Sequence, residues 1–406
     1  MFAVITDVKY KMSLAIIRDL VARGINVAVA QSDERGTETF MEPLGFYSKY
    51  PKERVWLPNM NIKPEDYLEA IYGLCAKLSQ KNGEKCVLIP VGAKTLALLA
   101  EPQVTERFRE ICGLYIPSQA QLDMANDKKQ VVALAEKLNI PVPREYSVKL
   151  GQNMEEYFNS VPLPCVVKPV CGEKFGIKAK DRYAICHSKA KFKDRFNFFY
   201  DLEKDYPIVQ EYLAGGGYGI SVLAKEGEII DFICHKRLRE YPVTGGPSSC
   251  CMRVKIDILE GYAKKMIKAM DYSGIAMLEF KTTKEGEDGI FKMLEINPRV
   301  WGSYNLTRIA QTNFSYNWFA LGYNMANPEK AIHIEPSTYK WQTKMIYGTS
   351  DKIAVIGYAK AGKLSKVFGG IADMLNPKVK DGIKSKGDNK PARVYFKSLF
   401  VKAKNK

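Results

Sequence analysis

Residues 273–303 read SGIAMLEFKTTKEGEDGIFKMLEINPRVWGS, two apolar runs separated by a polar, glycine-containing turn at 282–289. Runs of this length and composition read as the two strands of a hairpin. Side chains alternate along a strand, so Glu295 and Asn297 share a face, Leu294 and Ile296 are expected on the opposite, core-facing side, and Glu279 on the first strand joins the acids. Two carboxylates and an amide oxygen are hard donors of the kind Mg²⁺ takes, with water and substrate phosphate completing its shell. Pro298 ends the second strand, and Arg299 stands at its mouth, where a planar guanidinium suits a phosphate or carboxylate. The alternative is a solvated surface hairpin. The apolar flanks argue against it, because burying them turns the acids inward.

The 406 residues exceed one small core and call for about two to four domains. A chain with 26% charged and 46% hydrophobic residues has an ordinary globular composition. FAVIT at 2–6 enters a strand directly, without the basic leader, apolar core and cleavage site of a secretory signal, and no later apolar run reaches spanning length. A cytoplasmic protein is therefore expected. Nine cysteines at irregular spacing, with no C-x-x-C pair, suggest reduced thiols rather than a disulfide framework, and three histidines make a His-based metal site a poor expectation. The net charge of +16 is uneven: 351–406 holds 14 Lys and Arg against 4 Asp, a surplus of 10 that leaves 6 for the first 350 residues. No motif for sequence-specific nucleic-acid recognition accompanies it.

Taken in order, Phe2–Thr6, a helix from Ser13 to Arg23 stopped by Gly24, and Asn26–Ala30 make a β-α-β start and hence a parallel sheet. G-x-G-x-x-G is missing, so no dinucleotide is placed there. Cys86–Val91 is a further strand, and the following Val91–Lys94 turn fits either a substrate contact or a plain connection. Asn126 or Asp127 caps a helix striped by Val131, Leu134, Ala135 and Leu138, which puts Lys128 in the first turn, where the helix dipole disfavours a cation. An anion brought close by folding would offset this. PCVVKP at 164–169 is an apolar strand with one charge, Lys168, which must snorkel or meet an anion. The glycine- and lysine-bearing CGEKFGIKAK that follows suits a loop over phosphates.

YPIVQEYL at 206–213 is the next strand, and the glycines at 215–217 serve as hinge or turn. Two antiparallel strands follow, at 219–224 and 229–238. On the second, Ile230, Phe232 and Leu238 are expected on one face and Asp231, His235, Arg237 and Arg239 on the other, a row of cations that calls for anions. YPVTGGPSSCC at 241–251 reads as an active-site loop, with Cys250 and Cys251 either reactive thiols or packing groups.

Asp127-Lys128, Val166-Val167-Lys168-Pro169, the glycine loop at 172–176, Gln210-Glu211-Tyr212-Leu213, Leu278-Glu279-Phe280 and Glu295-Ile296-Asn297-Pro298-Arg299 together resemble the ATP-grasp superfamily over about residues 115–325. HKRLREYPVTGGPSS and NPRVWGS are similar to its carbamoyl-phosphate-synthase-like carboxylate–amine ligases. The resemblance implies an α/β and α+β architecture: a Rossmann-like pre-ATP-grasp domain over 1–115, a small subdomain with a linker helix over 116–205, a large subdomain with the Mg-ATP site over 206–325, and a basic extension over 326–406. It implies ATP contacts at Lys128, Lys168, Gln210, Glu211, Tyr212, Leu213, His235 and Arg237, and a phosphate-covering loop with Gly172, Lys174, Gly176 and Lys178. Mg²⁺, with Mn²⁺ as a substitute, would bind Glu279, Glu295 and Asn297. Lys168, Arg237 and Arg299 would serve the chemistry, Arg299 holding the acceptor carboxylate or acyl phosphate. The loop 171–176 is less glycine-rich than many in the family.

The reaction so implied activates a carboxylate as an acyl phosphate and joins it to an amine such as an amino acid or peptide, releasing ADP and phosphate. Two alternatives stand beside it: bicarbonate activation of the carbamoyl-phosphate-synthase or carboxylase kind, and a non-catalytic nucleotide-binding regulatory protein. The partners are ATP, a small carboxylate and an amine, with a homodimer and an anionic partner for the tail compatible. Gly and Pro punctuate 369–406, leaving at most a short helix and a terminal RVYFKSLFV element, and a tail separable from catalysis is expected.

Overall fold

The computed structural model of the chain describes residues 1–38, 40–170, 183–243, 246–284, 286, 288–335, 337 and 343–404. Strands β1 (Phe2–Ile5), β2 (Asn26–Ser32), β3 (Glu53–Leu57), β4 (Cys86–Ile89) and β5 (Cys112–Gly113) form a parallel sheet of order β3-β2-β1-β4-β5. Both of its faces are covered, which is why FAVI is wholly apolar: Ala3 and Ile5 pack with Leu14, Ile16 and Ile17 of the helix Ser13–Ala22, while Phe2 and Val4 pack with Tyr67, Ile71 and Leu74 of the helix Pro64–Asn82.

A small antiparallel sheet follows, from β6 (Cys165–Lys168), β7 (Ala184–Cys186) and β8 (Ile208–Glu211) in the order β7-β6-β8. Cys165 and Val167 point into a cluster built on Phe192, Phe196 and Phe199 of the helix Lys189–Glu203. Alternation therefore turns Val166 and Lys168 the other way, toward the large sheet. That sheet has seven strands in the order β13-β12-β9-β10-β11-β14-β15, from β9 (Gly217–Lys225), β10 (Glu228–Glu240), β11 (Ser248–Arg253), β12 (Gly274–Thr282), β13 (Phe291–Asn297), β14 (Lys344–Ile346) and β15 (Lys380–Asp381).

Four sequence readings change here. The run through Cys250 and Cys251 is strand β11, paired with both β10 and β14, rather than a loop. Both thiols are fully buried, and burial raises the pKa of each, Cys251 to about 12. They are packing groups, and the eight cysteines among the described residues are all free and buried. Ile230 packs on the side of Ile233 and away from Phe232, because the ladder shifts between Ile229 and Asp231. A second shift, between Glu279 and Phe280, leaves Leu294 unpaired and half-buried, so Phe291, Met293 and Ile296 enter the core and Lys292, Glu295 and Asn297 face out of it.

The last reading concerns the basic extension. β14 and β15 complete the seven-stranded sheet, and the helices Gly348–Lys360, Leu364–Leu375 and Lys390–Lys404 give the region far more structure than one short helix. Asp388 is buried against the first sheet's helix: Arg18 Nε donates to Asp388 Oδ2 at 2.9 Å, Arg18 Nη2 to its carbonyl at 3.0 Å, and Ser48 Oγ to Oδ2 at 2.9 Å. Arg239 is held by Asp351 at 2.7 Å and Asp373 at 2.9 Å. The anions that answer this cation come from the chain itself.

Candidate active site

The hairpin of β12 and β13 is the base of the site. Glu279 and Glu295 stand opposite each other in register, and Met277 pairs with Asn297. Gly219 on β9 pairs with both Glu279 and His235. A Cβ there would lie 2.5 Å from His235 Cε1, so the close approach of strand and ring requires glycine.

Cations surround the two carboxylates. Arg237 Nη2 donates to Glu279 Oε2 at 2.6 Å, and its Nη1 lies 3.8 Å from Glu240. Lys128, at the start of the helix Lys128–Lys137, places Nζ 3.9 Å from Glu295 Oε2. This answers the unfavourable first-turn position: Asp127 caps the helix by accepting from the amides of Lys129 and Gln130, and Glu295 provides the facing anion. Asn297 Nδ2 donates to Glu295 Oε1 at 3.3 Å, and Arg299 Nη2 donates to Asn297 Oδ1 at 3.1 Å.

The electrostatics separate the two acids. Burial raises the pKa of Glu279, with Arg237 opposing and Glu295 reinforcing the rise. Burial pushes Glu295 up as well, but Lys128 and Lys168 outweigh it and hold the carboxyl below its ordinary value. Lys168 is buried, which pulls its ammonium down to about 8; Lys128 acts in the same direction, and Glu295, Glu279 and Glu145 oppose. The structure thus brings Lys128, Lys168, Arg237, Arg299, Glu279, Glu295 and Asn297 to one place. Two carboxylates beside an amide oxygen fit Mg²⁺, and among the described residues no cluster of three His, Cys, Asp or Glu side chains offers an alternative metal site.

His235 is also here, although not as a cation. It is 1% exposed, its Nε2 lies 3.1 Å from Ser303 Oγ, and burial followed by the charge of Arg237 pulls its pKa down to about 3. Gln210 and Glu211 end β8, with Tyr212 and a buried Leu213 just beyond. The Glu211 carboxylate already accepts from Lys292 Nζ and, at 2.7 Å, from the Arg144 amide. The Lys281 ammonium lies 5.2 Å from the centre of the Tyr212 ring. Lys292 and Lys281 were absent from the sequence reading. Lys281 shares a face with Glu279 by simple alternation and was legible, whereas Lys292 reaches this side only through the shift at Leu294. Gly172, Lys174, Gly176 and Lys178 lie outside the described residues. At the Val91–Lys94 turn, Gly92 N donates to the buried Asp7 carboxylate at 3.0 Å and Lys94 Nζ donates to Asn61 Oδ1.

Residues 203–345 match the family described as ATP-grasp in the biosynthetic pathway with Ter operon. Among solved structures, biotin carboxylase from Campylobacter jejuni, in complex with a β,γ-ATP ligand, superposes with a TM-score of 0.59 at 13% identity, over 84% of this chain and 74% of that one. The biotin carboxylase domain of Hydrogenobacter thermophilus 2-oxoglutarate carboxylase, determined with MgADP, ADP and bicarbonate, gives 0.56 at 13% over 84% and 73%. L-amino acid ligase from Bacillus licheniformis gives 0.52 at 14% over 82% and 77%. At these identities the likeness is one of fold. The family match covers residues 203–345, and the fold likeness extends over the parallel amino-terminal sheet, the small sheet and the seven-stranded sheet that carries the acidic hairpin.

Proposed function

We propose that the chain is an ATP-dependent ligase that activates a small carboxylate as an acyl phosphate and joins it to an amine. The observation that carries this reading is the pairing of Glu279 and Glu295 across β12 and β13, with Asn297 beside them and Lys128, Lys168, Arg237 and Arg299 around them. A carboxylate is a poor acyl donor because its leaving group would be oxide. An oxygen of the carboxylate attacks the γ-phosphorus of ATP, the bond to the bridging oxygen breaks, and ADP departs; the amine then attacks the acyl carbon, expels phosphate and loses a proton.

Phosphoryl transfer spreads negative charge over the phosphoryl oxygens, so positioned cations do most of the work. Mg²⁺ held by Glu279, Glu295 and Asn297 would neutralise part of that charge when bound. Lys168 and Lys128 reach the phosphates, Arg237 neutralises Glu279 and lies next to the transferred group, and Arg299 orients the acceptor carboxylate. Gln210 to Leu213 form the edge against which adenine rests. With the Glu211 carboxylate engaged by Lys292 and Arg144, recognition of the base falls mainly to backbone groups. No nucleophilic side chain is required, in keeping with the buried, high-pKa thiols of Cys250 and Cys251.

Glu295→Gln tests the assignment. ADP formation should fall by on the order of 10²-fold or more while ATP still binds. Turnover near that of the parent at saturating Mg²⁺ would remove Glu295 from the site. Hydroxylamine should trap the activated acid as a hydroxamate, and oxygen-18 in the carboxylate should pass to phosphate. ADP release driven by bicarbonate alone would favour the carboxylase-type reading, and AMP with pyrophosphate would indicate adenylation.

A further inference from the structure

We propose that the helix Leu364–Leu375 docks the protein on an anionic lipid bilayer, lying in the plane of the headgroups. This helix is amphipathic in the inverse sense. Its inward face carries Lys366, Gly370 and Asp373: Lys366 Nζ donates to the Leu238 carbonyl at 3.0 Å, and Asp373 accepts from Arg239 Nη1 at 2.9 Å and Lys344 Nζ at 2.6 Å. A Cβ at Gly370 would sit 2.3 Å from Val355 Cγ2, so the helix is pressed against its neighbour Gly348–Lys360. The outward face carries Leu364, Phe368, Ile371 and Leu375, spaced i, i+4, i+7 and i+11 on one stripe. These side chains are 61, 67, 47 and 79% exposed, and Ile356 on the neighbouring helix adds another at 58%. A helix that buries its charges and presents its large apolar groups to water marks a surface built for contact.

Charge selects the occupant. The four acids of 351–406 all face inward: Asp351 and Asp373 hold Arg239, Asp388 holds Arg18, and Asp381 accepts from the backbone amides of Gly348, Ile383 and Lys384. Several lysines of the same stretch point outward, Lys366 being an exception. Lys352, Lys360, Lys363 and Lys378 are exposed around the stripe and have no acidic partner among the described residues. An apolar stripe with unpaired ammonium groups at both ends of its helix complements acyl chains beneath anionic headgroups. A second copy would bring the same lysines against these. The helix has 12 residues and lies on the bilayer rather than crossing it, and no helix among the described residues is long and apolar enough to span.

The test is flotation of the full chain with phosphatidylcholine vesicles, with and without phosphatidylserine. Binding is expected only with phosphatidylserine, and should weaken as salt is raised. The double variant Phe368→Glu, Leu375→Glu should lose at least about tenfold in bound fraction, and Lys360→Gln, Lys363→Gln, Lys378→Gln together several-fold, with melting temperature unchanged because all five side chains project into solvent. Failure to float with anionic vesicles, or undiminished flotation of the double variant, overturns the proposal. So does sedimentation as a dimer that the double variant abolishes while vesicles remain unbound, since the stripe would then be a seam between copies. The readout is independent of ligase activity.

Discussion

Lys168 occupies an expensive position for an ammonium group. Burial draws its pKa to about 8, so below that pH the folded chain carries a charge that only nearby carboxylates compensate. Between about 8 and the free-lysine value of 10.5 the unfolded chain binds the proton more firmly than the folded one, so stability should rise with pH across that window. Nucleotide phosphates reverse the preference, because they favour the charged form. ATP binding should take up protons near pH 8, seen in calorimetry as a binding enthalpy that varies with buffer, and affinity should fall as pH rises above that value. Lys168→Met should weaken binding by roughly one to two orders of magnitude and flatten the pH dependence. A pH-independent affinity in the parent protein would place the phosphates elsewhere. This lysine was legible as the single charge within PCVVKP, as Glu279, Glu295 and Asn297 were from their strand positions. The pairing of Lys292 with Glu211 was not, because one unpaired residue at Leu294 inverts the phase that strict alternation assigns.

Strands and helices sort by how much of their partnership is local. β1, β2, β4 and the helix Ser13–Ala22 are readable because their own apolar patterns specify them. β11 is not, since its glycine- and proline-rich approach mimics a loop and its pairing with β14 lies almost a hundred residues on. Arg239 depends on still more distant residues, Asp351 and Asp373, 112 and 134 positions away. Removing one member of a buried ion cluster strands the others, so Asp351→Ala should cost about 3–5 kcal/mol, measured as a lower urea midpoint at unchanged slope. A loss under about 1 kcal/mol would show that water reaches the cluster and that the helix Gly348–Lys360 is loosely attached.

At the scale of the molecule, the parallel sheet, the acidic hairpin and the small sheet follow from sequence order, whereas the integration of the basic extension does not. Lysine-rich composition suggested an appendage, yet β15 completes the large sheet and Asp388 is fixed to Arg18, a hydrogen bond spanning 370 residues. Truncation after residue 379 should therefore lower the melting temperature markedly, because it leaves Arg18 buried without its carboxylate. Replacing the exposed Lys384 and Lys386 by glutamine should leave both kcat and melting temperature unchanged. A drop in kcat from those substitutions alone would mean that the extension supplies charge to catalysis.

The tie between Arg18 and Asp388 also bears on how the protein is made. Synthesis proceeds from the amino end, so the helix Ser13–Ala22 emerges long before the carboxylate that neutralises its arginine. During that interval the guanidinium keeps its hydration only if the helix stays loosely seated on the sheet. The first sheet can assemble early but cannot close, and closure waits for a residue 370 positions further along the chain. A prematurely terminated chain would retain an open amino-terminal layer, which proteases can recognise as incomplete.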